Sequence, residues 1–104
     1  MSEQVDLRSV VNEVQNARQQ VAALRAQVRE LESTNEALDV QPDDLAVYRQ
    51  VGALLIEVHD RTVLKEELES TLGTLKEHAE RMDGREKELM ARYEELKNSI
   101  EQRE

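Results

Sequence analysis

Apolar residues recur in a strict seven-residue pattern over the first 40 residues of the chain. Nine of the ten a and d positions of this pattern are apolar. Such a narrow stripe, kept over several heptads, is typical of a helix in a coiled coil. The a positions are Leu7, Val14, Val21, Val28 and Asn35, and the d positions are Val10, Ala17, Leu24, Leu31 and Leu38. The pattern predicts a helix over residues 3–39, which ends before Pro42.

The same pattern returns in the second half of the chain, where it predicts a helix over residues 61–102. Asp60 stands just before it as a candidate N-cap. The a positions are Leu72, Ala79, Glu86, Tyr93 and Ile100, and the d positions are Leu68, Leu75, Met82, Leu89 and Leu96. The two predicted helices are similar in length, so they suit an antiparallel helical hairpin in which the two seams face each other.

Two polar residues interrupt the seams. Asn35 is either buried, where it would set the register, or solvated because the seam opens near it, and the solvated position is favoured. Glu86 is expected to lie across from Ala17, where its carboxylate can reach water or pair with Arg18. Because Gly84 is a poor helix former, residues 83–86 are expected to be the weakest part of the second helix.

Residues 45–58, between the helices, follow a different pattern. Two segments rich in strand-forming residues flank Gly52, which reaches the positive φ of a tight turn without steric cost. The pattern predicts a β-hairpin, with a continuous buried turn of helix as the alternative by periodicity. Alternation places Leu54 and Ile56 on one face of the hairpin and Leu55 on the other.

This predicted hairpin has more apolar surface than two narrow helical seams can cover. Its outer edges also carry unpaired backbone groups. We therefore expect hairpins from several chains to pair edge to edge and close into an intermolecular β-barrel. The alternative is that the insert packs on its own helices, and in both cases its role is structural. The candidate assembly residues are Val47, Tyr48, Val51, Gly52, Leu54, Leu55 and Ile56.

The insert resembles the hairpin of prefoldin beta-type subunits, a family with archaeal and eukaryotic members. In that family a Tyr-Lys/Arg-x-Val/Ile-Gly stretch opens the hairpin and a short apolar strand closes it. The matching residues are Pro42-Asp43-Asp44 and Val47-Tyr48-Arg49-Gln50-Val51-Gly52-Ala53-Leu54-Leu55-Ile56. The likeness continues through Glu66-Glu67-Leu68 into the second heptad helix. Gly73 and Gly84 depart from the family pattern, which is normally free of glycine there.

The resemblance implies a single prefoldin-like domain over residues 1–104, mainly α, in a jellyfish-shaped hexamer of alpha and beta subunits. In such a hexamer, β-barrels formed by the hairpins hold the coiled coils together. The resemblance also implies an ATP-independent holdase, which captures unfolded proteins at the coiled-coil tips and delivers them to a group II chaperonin. The implied partners are prefoldin alpha-type subunits, further beta-type copies, unfolded client proteins and the chaperonin.

The helix ends opposite the hairpin are the candidate client-binding tips. Antiparallel pairing brings the first turns of one helix beside the last turns of the other. Helix ends fray, so their apolar side chains are exposed part of the time and can hold an unfolded chain. Ordinary helix-end packing is the alternative. The candidate tip residues are Val5, Leu7, Val10, Val11, Leu96 and Ile100.

Composition and charge exclude other functions. The chain has 104 residues, a net charge of −9, two tyrosines as its aromatic residues and no cysteine. An acidic chain without a basic face is not expected to bind nucleic acid, and no apolar run is long enough for a membrane span. The absence of cysteine fits a cytoplasmic protein. His59 and His78 have no partners at ligand spacing, so no enzyme, metal or cofactor is expected. A coiled-coil scaffold or adaptor that only oligomerises is the alternative function.

Overall fold

The chain forms a long helical hairpin with a small β-hairpin at its closed end. The computed structural model describes residues 2–103, and the side chains of residues 4–102. Helix α1 spans Ser2–Val40, strand β1 Tyr48–Val51, strand β2 Leu54–Glu57 and helix α2 Arg61–Arg103. The molecule measures 72 × 24 × 16 Å, so it is a rod rather than a globule. The predicted order of helix, β-hairpin and helix is confirmed, and the alternative of a continuous helical turn is wrong.

The two helices pack along the predicted seams. Every a and d residue of both heptad patterns is buried or half-buried, whereas most of the intervening residues are exposed. Full burial begins near the middle of the coiled coil and continues into the distal half, away from the β-hairpin. The fully buried apolar residues are Val10, Val14, Ala17, Val21, Ala79 and Leu89. The seam is therefore tighter in the middle and the distal half and looser toward the hairpin.

The two polar seam residues behave differently. The Nε of Arg18 donates to Oε1 of Glu86 at 2.8 Å, so of the two expected outcomes for this carboxylate the structure shows the ion pair. Asn35 is half-buried, and its Oδ1 is enclosed without a hydrogen-bond partner in the described part of the chain. The favoured solvated position of Asn35 is therefore wrong for this oxygen, because the seam is still narrow enough there to exclude water from it.

The β-hairpin is a two-residue turn between two short strands. The strands are antiparallel, with Val51 opposite Leu54 and Tyr48 opposite Glu57. Gly52 has a φ of 60°, and no other described residue has a positive φ. A positive φ at only the first of the two turn residues is the pattern of a type II′ turn, whose twist matches that of the strands. Gly52 is thus required by the turn geometry.

Local hydrogen bonds end and begin the helices at the hairpin. The backbone N–H of Gln41 still donates to the carbonyl of Ala37 at 3.1 Å, and Pro42 then stops the helix because it has no N–H to continue the ladder. The Oδ1 of Asp60 accepts from the backbone N–H of Val63 at 3.2 Å, so the predicted N-cap of α2 is confirmed.

Candidate functional site

The β-hairpin exposes apolar side chains on both of its faces. Cross-strand neighbours share a face, so Val51, Leu54 and Ile56 lie together and Tyr48 and Leu55 lie on the other side. All eight strand residues are exposed, up to 71% for Leu55 and 65% for Leu54. Of the other predicted assembly residues, Gly52 is exposed and Val47 is half-buried. Apolar surface of this kind, gathered in one place, marks an interaction site.

The helices of the same chain do not cover this surface. The backbone of neither strand comes close to the described helices, although the side chain of Arg49 in β1 reaches Glu67 in α2. An open groove of about 500 Å³ lies between β1 and the helix ends, lined by residues that include Ala37, Leu38, Tyr48, Leu64 and Leu68. These observations favour an uncovered β-hairpin over the alternative in which the insert packs on its own helices.

Both outer edges of the β-hairpin have free backbone groups. The ladder extends one pair beyond the strands, because the N–H of Val58 donates to the carbonyl of Val47 at 2.8 Å. Hydrogen-bonded and non-bonded pairs alternate from there, which turns the N–H and C=O groups of four residues outward. These residues are Tyr48 and Gln50 on β1 and Leu55 and Glu57 on β2. Each edge can accept another strand.

Three cationic side chains, which the sequence analysis did not identify, tie the hairpin end together. Arg61 donates to backbone carbonyls of the segment between α1 and β1. Nη1 of Arg49 in β1 lies 3.5 Å from Oε2 of Glu67 in α2. Lys65 in α2 bonds to the Asp39 carboxylate in α1. The position of Arg61 directly after an N-cap was a usable signal, but the carbonyls it reaches lie 16 to 20 residues away in the sequence.

The Lys65 cluster has an electrostatic signature. The Asp39 carboxylate, which accepts a hydrogen bond from Nζ, raises the pKa of Lys65 above its usual 10.5, and Glu69 adds to the same effect from 3.8 Å. Lys65 thus stays charged and holds the last turn of α1 against the first turns of α2.

The candidate tip residues lie together at the open end of the rod, with different degrees of exposure. Val5 is 62% exposed, whereas Val10 is part of the buried core. Leu7, Val11, Leu96 and Ile100 are half-buried. Beside them, a shallow groove of about 230 Å³ is lined by residues that include Val11, Met90 and Tyr93. The open end therefore offers a smaller apolar surface than the hairpin does.

The described residues contain no group of His, Asp and Glu side chains arranged to hold a metal ion. Within the same residues, neither helix has a stretch that is both long and apolar enough to cross a lipid bilayer.

The chain resembles known proteins over most of its length. The sequence profile of the family described as "Prefoldin subunit" matches residues 2–103. Prefoldin subunit beta of Thermoplasma volcanium is 34% identical and that of Thermoplasma acidophilum 30% identical, each over 76 residues. Each match covers 73% of this chain and 61% of the relative, so it spans less than two thirds of those relatives' length. Prefoldin subunit beta of Methanothrix thermoacetophila is 29% identical over 97 residues, covering 86% of this chain and 80% of the relative.

Two solved structures have the same fold. The prefoldin beta subunit of Thermococcus strain KS-1 superposes with a TM-score of 0.87, over 97% of this chain and 88% of that one, at 24% identity. The beta2 subunit of the same strain superposes with a TM-score of 0.76, over 89% of this chain and 98% of that one, at 25% identity. The match over residues 2–103 agrees with the heptad seams and the exposed β-hairpin of the structure. This chain therefore belongs to the prefoldin subunit family, and it has the fold of that family's beta subunits.

Proposed function

We propose that this protein is a beta-type subunit of a chaperone complex, which holds unfolded proteins without enzymatic chemistry and delivers them to a group II chaperonin. The observation that carries the proposal is the β-hairpin, which is apolar on both faces, open at both edges and uncovered by its own chain. The family supports the chaperone role, and the hairpin supports the assembly on which that role depends.

The partners in assembly are prefoldin alpha-type subunits and further beta-type copies. A two-stranded β-hairpin is marginal in water, and more strands or a packed face are needed to stabilise it. Neighbouring hairpins would supply both at once, since strand pairing satisfies the free edges and closure of the sheet buries one face.

Client proteins are proposed to bind at the open end of the rod. The exposed Val5 and the groove beside Val11, Met90 and Tyr93 present scattered apolar surface there. One such tip would bind an unfolded chain weakly. Several tips held in one complex would bind it more strongly, because each further contact is made at high effective concentration.

The chain has no cysteine with which to form a disulfide, and we place this activity in the cytoplasm.

The proposal can be tested with matched pairs of substitutions at the two ends of the helices. One assembled complex carries Val5→Asp and Val11→Asp at the tip. The control carries Val40→Asp and Val63→Asp. These two valines are also exposed, but they lie near the β-hairpin. The measurement is suppression of light scattering by a chemically denatured model protein as it aggregates. We expect protection to fall with the tip pair and to persist with the control pair.

Deletion of residues 1–11 and 97–104 gives a stronger form of the same experiment, with native mass determination to check that the oligomer remains. A truncated complex that still protects the client fully would place binding elsewhere. An intact oligomer that never protects a client, even with native tips, would instead favour the scaffold function.

A further inference from the structure

The guanidinium of Arg61 joins the start of α2 to the segment that leads from α1 into the β-hairpin. Its Nη1 donates to the carbonyl of Gln41 at 3.1 Å, and its Nη2 donates to the carbonyl of Pro42 at 3.0 Å and to that of Leu45. The carboxylate of Asp43 lies 3.9 Å from Nη1. The Arg61 side chain is 24% exposed, so most of it is enclosed by this segment.

These carbonyls lie just beyond Val40, the last residue of α1, so they are not part of its hydrogen-bond ladder, which Pro42 cannot prolong because it has no N–H. The carbonyl of Pro42 also accepts from the backbone N–H of Leu45 at 3.1 Å. A cation at a helix C-terminus also interacts favourably with the partial negative charge there. The planar fork of arginine can serve several carbonyls at once, whereas the single ammonium group of lysine cannot span them in the same way.

The direction of the β-hairpin depends on such contacts, because apolar packing at its base is slight. Residues 48–57 are exposed, and Val47 and Val58 are half-buried. The backbone of neither strand comes close to the described helices, and an open groove separates β1 from them. The hairpin is therefore attached by its two connections, residues 41–47 and residues 58–60. Arg61 follows the second connection directly and binds three carbonyls of the first, so it holds both connections together.

The other tie to the β-hairpin is weaker. The ion pair between Arg49 and Glu67 is 3.5 Å long, and both side chains are about half exposed. Exposed ion pairs contribute little to stability because water and salt screen them. Arg61 is thus the main polar contact that restricts the angle between hairpin and coiled coil.

We infer that Arg61 is a positioning residue for assembly, which presents the β-hairpin to neighbouring subunits at one fixed angle. This inference rests on the proposed assembly through the hairpins. A hairpin that swings freely would lose orientational freedom on docking, and that loss would weaken the assembly. With Arg61 in place, the angle is set before the partner arrives.

The angle can be measured by distances between two spin labels on the full-length chain. The chain has no native cysteine, so Ala53→Cys in the turn and Thr71→Cys on α2 give unique labelling sites. Labelled chains are diluted with an excess of unlabelled chain, so that the distances within one molecule dominate. Assembly is followed in parallel, by native mass determination with a purified prefoldin alpha-type subunit.

Three variants are compared with the native chain. Arg61→Gln removes the charge and most donors, whereas Arg61→Lys keeps the charge but replaces the planar fork with a single ammonium group. Arg81→Gln is the matched control, since Arg81 lies on the same helix and makes no hydrogen bond or ion pair with the described residues. We expect Arg61→Gln to broaden the distance distribution and to raise the concentration for half-assembly about tenfold, or ~1.4 kcal/mol. Arg61→Lys should lie between, and Arg81→Gln should match the native chain.

A narrow distribution in Arg61→Gln would overturn the inference, because the hairpin angle would then be set without Arg61. Weaker assembly with an unchanged distribution would also overturn it and would make Arg61 a direct contact of the partner. If Arg61→Gln loses helical circular dichroism, Arg61→Lys decides: unchanged distances and assembly contradict the inference. If the native chain itself never assembles, the proposed function fails, and the distances alone then show whether Arg61 sets the angle.

Discussion

The distal half of the coiled coil and the end that carries the β-hairpin are held together by different forces. In the distal half, Val10, Val14, Ala17 and Leu89 form a buried apolar cluster, against which half-buried Met90, Tyr93 and Leu96 pack. At the hairpin end the helix seam is only half-buried, and the large apolar side chains of the strands are exposed. The contacts that span the elements there come mainly from cations, namely Arg49, Arg61 and Lys65.

This difference separates the stability of the chain from its assembly. Burial of apolar surface stabilises the distal half within one molecule. The hairpin end keeps its apolar surface available, and directional hydrogen bonds maintain its shape without covering that surface. A subunit that must join others needs both properties, since it has to fold as a rod and still present an uncovered sheet.

The largest effect is expected when the same charge is placed in each of the two regions. Leu89 is 7% exposed in the distal core, whereas Leu55 is 71% exposed on the β-hairpin. Leu89→Asp should cost at least about 3 kcal/mol of unfolding free energy, because it opens a cavity and buries an unpaired charge. Leu55→Asp should change the stability of the isolated chain by no more than about 0.5 kcal/mol. Thermal melts followed by circular dichroism measure both.

The two variants should rank the other way round in assembly, when both are compared at a temperature at which they are folded: Leu55→Asp should impair the oligomer more than Leu89→Asp. Leu55→Asp would bury a carboxylate between subunits and should abolish the oligomer, which native mass determination detects. An oligomer that persists in Leu55→Asp would contradict the assembly role of the β-hairpin.

Smaller effects on stability, opposite in sign to each other, are expected from substitutions of two glycines. An added Cβ at Gly84 meets no atom within 4 Å, so Gly84→Ala should stabilise helix α2 by about 1 kcal/mol through helix propensity. Gly52 has a φ of 60°, so Gly52→Ala should destabilise the turn by about 1–2 kcal/mol although its Cβ also has open space.

Urea unfolding measures the stability change at Gly84, and hydrogen exchange locates both effects. Exchange at residues 83–86 should be faster than at residues 72–79 in the native chain and should slow in Gly84→Ala. Uniform exchange along α2 would contradict a weak point at Gly84.

The smallest expected effect is a pH dependence at the hairpin end. The bond to Asp39 raises the pKa of Lys65 above 10.5, the value that it has in the unfolded chain. Lys65 therefore contributes stability that is complete below pH 10.5 and is lost as the pH rises through the higher folded-state pKa. Melting temperatures from about pH 9 to about pH 12 should fall slightly more steeply for the native chain than for Lys65→Gln. Lys76→Gln, on the same helix, is the control and should follow the native curve.

Much of the fold was predictable because its signals are periodic and local. A seven-residue repeat determines which side of each helix is apolar, so the seam from Leu7 to Leu38 and its counterpart in α2 followed from counting. Gly52, between two β-branched segments, determined the position of the turn, and Asp60 determined the start of α2. The position of Glu86 close to Arg18 also followed, because two antiparallel helices bring together residues whose numbers add up to a nearly constant sum.

The sequence by itself determined the elements, their order and the seams, since each depends on neighbours within a few residues. Only the tertiary structure decided that the β-hairpin stands clear of its own helices, that Asn35 Oδ1 is enclosed, and that Arg61 binds the carbonyls of Gln41, Pro42 and Leu45. Those features depend on the angle at which α1, the hairpin and α2 meet. Such an angle is set by contacts between residues far apart in the chain, and neither heptad spacing nor turn chemistry records it.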